Sequence, residues 1–135
     1  MQMFYNVLDI EDRILTETVR MTRLKNGIIH YSYILKTEIS IENHWENHRA
    51  LLKIGGGKRY PLLIDSMNFF NISNEVKTLV RKLEPDIPIK GRAFVTVSLA
   101  EKLLVRFFQS MHKTIYPLKI FSNYDEAVVW LLKLK

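Results

Sequence analysis

No cysteine occurs in the 135 residues, which at once excludes a disulfide framework, a thiolate metal site and a cysteine nucleophile, and is compatible with a reducing compartment. No apolar run approaches the roughly eighteen residues needed to cross a bilayer. The start, Met1-Gln2-Met3-Phe4-Tyr5, has no basic region ahead of an apolar stretch, so no signal peptide is read there and a soluble, cytoplasmic chain without a transmembrane segment is expected. A basic tract interleaved with aromatics is missing too. The net charge of +6 is uneven, with five Lys/Arg against seven Asp/Glu in residues 1–48 and fifteen against seven in residues 49–135. The cations come mostly singly, as expected of solvated helix faces and turns, and without a reading motif nucleic acid is not the expected partner.

What is present is a globular composition, 47% hydrophobic and 25% charged, of a length that suits one domain spanning residues 1–135. Tyr60-Pro61-Leu62-Leu63-Ile64-Asp65-Ser66 reads as a parallel strand buried on both faces. Residues 1–14 have no clean period and suit an arm or a short first strand. Alternation over Val19–Leu24 and Ile29–Tyr33, on either side of Asn26-Gly27, predicts an antiparallel hairpin with a type I′ turn, its second strand nearer solvent than the Tyr60 strand.

Ser40 caps a predicted helix over 41–53 with an inward stripe of Ile41, Trp45, His48 and Leu52, stopped by Gly55-Gly56-Gly57. An apolar loop, Met67 to Ile72, follows the central strand. Asn71 or Ser73 then caps a helix carrying Val76, Leu79, Val80 and Leu83 at helical spacing, ended by Pro85 and Pro88. Ala93–Val97 is the next strand. Ser98 and Glu101 form a capping box opening a helix with Ala100, Leu103, Leu104, Phe107, Phe108 and Met111 on its apolar face. A short strand over 118–121 leads to a last helix over 124–132, capped by Ser122 or Asn123, with Tyr124, Ala127, Val128 and Leu131 inward. The fold class is therefore α/β: a mixed sheet of about five strands, with an N-terminal β-hairpin followed by α-β-α-β-α-β-α.

Four features invite a chemical reading. His44 and His48 stand at i, i+4 with Glu46 between them, but no third metal ligand is apparent and the zinc-protease order, in which the glutamate follows the first histidine, is broken by Trp45. Gly55-Gly56-Gly57-Lys58 follows a helix and precedes a strand, the reverse of a phosphate loop, and reads as a C-cap. Asp65 is the one acid in a strongly apolar setting, but topology separates it from His30 on the hairpin and from His112, so no hydrolytic set is assembled and neither enzyme activity nor a cofactor is expected. The carboxyl ends of the strands gather Asp65, Ser66, Ser98 and Ser122, with Ser73 and Asn74 near them, each beside a helix start where open sheets bind ligands.

With these elements placed, the chain resembles the STAS domains, and more narrowly the SpoIIAA-like family named after the bacterial anti-sigma-factor antagonist. The likeness is carried by Lys58 to Asp65, by the capped helix after it, and by Pro117-Leu118-Lys119-Ile120-Phe121-Ser122-Asn123-Tyr124-Asp125-Glu126-Ala127-Val128-Val129-Trp130-Leu131. In those antagonists a serine of an Asp-Ser-Ser-Gly motif opens the helix and is phosphorylated to switch partner binding. Here the region reads Asn71-Ile72-Ser73-Asn74-Glu75, which keeps a serine and lacks the neighbouring Asp and Gly. The resemblance implies a bacterial, non-enzymatic regulatory domain acting through protein contacts at Asp65, Ser66, Phe69, Phe70, Ser73 and Asn74, with Ser73 the phosphorylation candidate. The alternative it implies is a binder of a small apolar or anionic molecule or lipid, in a pocket between the sheet and the Phe107/Phe108 helix. Hairpin edges and the apolar arm leave room for a homodimer.

Overall fold

The computed structural model describes residues 4–34, 38–65, 71–111 and 115–135. Six strands form one mixed sheet: β1 (Ile10–Leu15), β2 (Val19–Leu24), β3 (Ile29–Tyr33), β5 (Tyr60–Asp65), β7 (Ile89–Val95) and β8 (Leu118–Phe121), in that spatial order. The first three are antiparallel neighbours; β3, β5, β7 and β8 run parallel. Two residues each of β4 (Glu38–Ile39) and β6 (Asn71–Ile72) pair in parallel apart from the main sheet. The helices are α1 (Ile41–Gly55), α2 (Asn74–Leu83), α3 (Leu99–Met111) and α4 (Tyr124–Leu132).

Alternation along the strands divides the sheet into two apolar faces. Met21, Ile29, Tyr31, Leu62 and Ile89 point to one face and pack with Leu51 and Ile54 of α1. Leu24, Leu63, Ala93, Val95 and Phe121 point to the other, under Ala127 and Leu131 of α4 and the aromatic residues Phe4 and Tyr5. Leu63 and Ile29 are fully buried, and each side chain of this kind contributes roughly 2 kcal/mol by leaving water.

Three expectations are corrected by this arrangement. The hairpin turn is not type I′: among the described residues only glycines have positive φ, Gly27 at 95°, and Leu24 pairs with Ile28 across a three-residue loop, so Asn26 stays right-handed and Gly27 alone takes the left-handed place. Second, β3 is not nearer solvent. Its parallel pairing with β5 leaves Ile29, His30, Tyr31 and Ser32 all buried. Third, α1 turns a different face inward: Ile41, Trp45 and Leu52 are between 37% and 38% exposed, and of the expected stripe only His48 is buried, alongside Asn47, Leu51 and Ile54.

Asn47 can face the sheet because its polar atoms are met there. Thr16 Oγ1 donates to Asn47 Oδ1 at 2.6 Å and Asn47 Nδ2 donates to Thr18 Oγ1 at 2.9 Å. A buried amide so satisfied costs little. On α3, Ala100 is exposed and Leu103 and Phe107 are 55% and 61% exposed, so this part of the expected apolar face is not core; Leu104 is half-buried, and the side chains of Phe108 and Met111 lie outside the described ones. Ile10–Leu15, overlapping the region expected as an arm or a short first strand, is an edge strand.

Candidate functional site: the carboxyl edge of the sheet

The parallel strands bring four helix starts to one edge. Ser40 Oγ accepts from the Asn43 amide at 3.0 Å while Asn43 Oδ1 accepts from the Ser40 amide at 3.2 Å, a reciprocal cap that opens α1. Ser73 opens α2, its hydroxyl accepting from the Val76 amide at 3.2 Å. Pairing of Glu38 with Asn71 and Ile39 with Ile72 sets these two capping serines side by side. They share a groove with Glu38, Glu42, Asn74 and Glu75, so its rim is acidic.

Ser98 and Ser122 belong to a separate part of the edge. Ser98 Oγ accepts from the Glu101 amide at 3.3 Å, as the expected box requires, and the Glu101 carboxylate accepts from Thr96 Oγ1 at 2.7 Å. Asn123, rather than Ser122, caps α4, with Glu126 donating to Asn123 Oδ1 at 2.9 Å, while Lys102 Nζ reaches Ser122 Oγ at 3.0 Å. Of the expected site, Ser73 and Asn74 stand together, Lys102 links Ser98 to Ser122 by donating its amide to the Ser98 carbonyl and its ammonium to Ser122 Oγ, and Ser66, Phe69 and Phe70 lie outside the described residues.

Asp65 departs most from expectation. Topology was expected to hold it away from His30, yet His30 Nε2 lies 3.5 Å from Asp65 Oδ2, both side chains essentially without exposure. The cause is the β3–β5 register: Ser32 pairs with Asp65 and His30 with Leu63, so alternation puts His30 and Asp65 on one face, one step apart. Tyr124 donates its hydroxyl to the same carboxylate oxygen, and the Tyr5 hydroxyl stands 3.0 Å from His30 Nδ1. A carboxylate facing Nε2 favours the proton there, which leaves Nδ1 to accept from Tyr5. Burial, and then the hydrogen bond to Asp65, raise the Tyr124 pKa well above the ordinary value, so the phenol stays a donor. Only the pairing of β3 with β5 reveals this chain of groups; no local motif does.

His44 and His48 acquire a neighbour in Asp86, whose Oδ2 is 3.7 Å from His48 Nε2. Among the described residues no cluster of three His, Asp or Glu side chains could hold a metal ion. Burial, followed by repulsion from His48, pushes the His44 pKa down to about 4. The unfolded chain therefore binds a proton near pH 6.5 that the folded chain refuses until about pH 4, and the contribution of His44 is present above the first value and lost as pH falls towards the second. Urea unfolding at pH 7.5 and pH 5 is expected to show His44→Gln suffering about 2 kcal/mol less acid destabilisation than the parent. Equal losses in the two proteins would contradict the shift.

Gly55-Gly56-Gly57 does end α1 and turn into β5, with Gly56 left-handed at φ 62° and Arg23 donating to the Ile54 carbonyl. Among the described residues no helix is long and apolar enough to cross a membrane.

Comparison with known proteins gives little beyond this geometry. No curated protein matches the chain. Among solved structures, the crystal structure of a protein with unknown function from Arthrobacter sp. FB24 is 20% identical, the match covering 87% of this chain and 95% of that one, with a TM-score of 0.34. The family model DUF7793, a domain of unknown function, matches residues 22–135, from the second half of β2 through β8 with all four helices, and the chain belongs to that family.

Proposed function

We propose that this chain is a non-enzymatic, STAS-like regulatory domain of the SpoIIAA type, acting in the cytoplasm through protein contacts at the loop after β5 and the start of α2. The observation that carries the reading is Ser73: its half-buried hydroxyl caps the helix after the central strand, on the rim of a groove shared with the start of α1. A phosphate there would meet the first amides of α2 and its positive dipole end while adding charge beside Glu38, Glu42 and Glu75. The unmodified groove suits a partner that presents cationic side chains, and phosphorylation changes both the shape and the field that the partner reads.

An enzyme is the weaker reading. His30 and Asp65 form a buried pair, and the side chains bonded to it include two tyrosines, one of which, Tyr124, is held as a hydrogen-bond donor rather than activated as a nucleophile. Binding of a small molecule is the second reading, favoured by the aromatic cover over His30.

The test is recovery of partner proteins on the immobilised chain and on Ser73→Asp, Phe69→Ala and Phe70→Ala. Ser73→Asp is expected to lose a partner that the parent retains. Recovery unchanged in all three variants would reject this surface.

A further inference from the structure

Phe4 and Tyr5 belong to no helix or strand, yet their rings fill a recess on the second face of the sheet. Phe4 stacks on Tyr124 with centroids 4.8 Å apart and planes at 22°, and meets His30 edge-on at 5.0 Å. Tyr5 stands edge-on to both Phe4 and His30, at 4.8 and 5.6 Å, with its hydroxyl on His30 Nδ1. Both rings are only half-buried, and the next residues, Val7 and Leu8, are 81% and 78% exposed. The recess runs out into an open groove past Lys25, Asn26, Asp125 and Val128.

The floor of this recess states what it selects. The Tyr124 ring offers a flat face to stack on, and His30, whose Nε2 lies 3.5 Å from Asp65 Oδ2, turns Nδ1 to the Tyr5 hydroxyl at 3.0 Å; with the imidazole proton on the Asp65 side, Nδ1 is an acceptor. An apolar ring would leave that acceptor unpaired, which is costly in a dry site. An anion would meet the field of Asp65, which reaches the recess through the imidazole. A neutral aromatic hydroxyl satisfies both demands. We infer that the recess over His30 and Tyr124 is a binding site for a phenolic ring, occupied from within the chain by Tyr5 and opened to an incoming phenol when residues 4 and 5 are displaced. Because the chain's own rings compete for the site, the intact protein binds such a ligand more weakly than one with the cover removed.

The experiment uses the full chain carrying Phe4→Ala and Tyr5→Ala together, titrated with 4-methylphenol, with N-acetyltyrosinamide and with toluene, and followed by the imidazole carbon-proton NMR signals of the four histidines. Saturable 4-methylphenol binding that shifts the His30 signal, about tenfold tighter than to the parent and about tenfold tighter than toluene, is expected. N-acetyltyrosinamide binding equally well assigns the site to a tyrosine presented by another chain; binding of 4-methylphenol alone assigns it to a free small phenol. No saturable shift with either hydroxylated probe, or equal affinity for toluene, overturns the inference. If circular dichroism shows the double variant unfolded, Tyr5→Ala alone, which keeps the Phe4 ring on Tyr124, is judged by the same criteria.

Discussion

Replacing Asp65 with alanine is expected to lower the unfolding free energy by about 3 kcal/mol, and replacing it with asparagine by clearly less. The carboxylate has no exposure, accepts from Tyr124 and faces His30 at 3.5 Å. Alanine leaves the buried Tyr124 hydroxyl without this acceptor, removes the charge beside His30 Nε2 and opens a small void. Asparagine keeps an acceptor for Tyr124 but offers His30 no charge. Tyr124→Phe removes one hydrogen bond and is expected to cost about 1 kcal/mol. Urea denaturation of the three variants at pH 7.5 gives the order. An asparagine variant as stable as the parent would mean that the negative charge has no part in holding the cluster, and would also weaken the case for Nδ1 of His30 as a fixed acceptor.

The reasons this cluster escaped the sequence are physical. Periodicity placed β2, β3, β5 and the four helices, because each pattern is local and repeats within a few residues. Asp65 and His30 are thirty-five positions apart, and their meeting depends on which strand β3 chooses as its second neighbour. The alternating polar residues His30 and Ser32 suggested a wet face, whereas that face is closed by aromatic rings and by α4. The same confusion displaced α1. Its buried stripe includes Asn47, satisfied by Thr16 and Thr18, and His48, whose Nε2 lies 3.7 Å from Asp86, while the more apolar Trp45 and Ile41 are left partly outside. Buried polar groups with distant partners look like surface to any reading that sees one segment at a time. Caps were legible for the opposite reason. Ser40, Ser73 and Asn123 each bond an amide three residues on, so the whole interaction lies within one turn.

Glu84 and Arg92 carry the second large effect, and they too join distant segments. Arg92 Nη2 on β7 meets Glu84 Oε1, just after α2, at 3.2 Å, and the same oxygen accepts from the Ile115 amide at 2.7 Å; the two side chains are 11% and 6% exposed. Burial pulls the Arg92 pKa down and Glu84 works against that shift; the guanidinium stays charged, and the carboxylate offsets the cost of holding that charge inside the protein. Glu84→Ala is expected to cost about 3 kcal/mol, because an unpaired cation and an orphaned amide remain behind. Glu84→Gln keeps an acceptor for Ile115 and loses only the ionic part. Arg92→Met removes the cation and fills much of its volume, so adding it to Glu84→Gln should restore stability relative to Glu84→Gln alone. A double-mutant cycle in urea measures the coupling, expected at about 2 kcal/mol. Strict additivity would show that the pair is merely adjacent. Substantial coupling would make it the clasp between the end of α2, the middle of β7 and the segment entering β8, and the start of α2 inherits its position from that clasp. A loss of partner recovery in Glu84→Ala comparable to that in Ser73→Asp would then reflect displacement of the helix, which Glu84→Gln with Arg92→Met should reverse while Ser73→Asp stays defective.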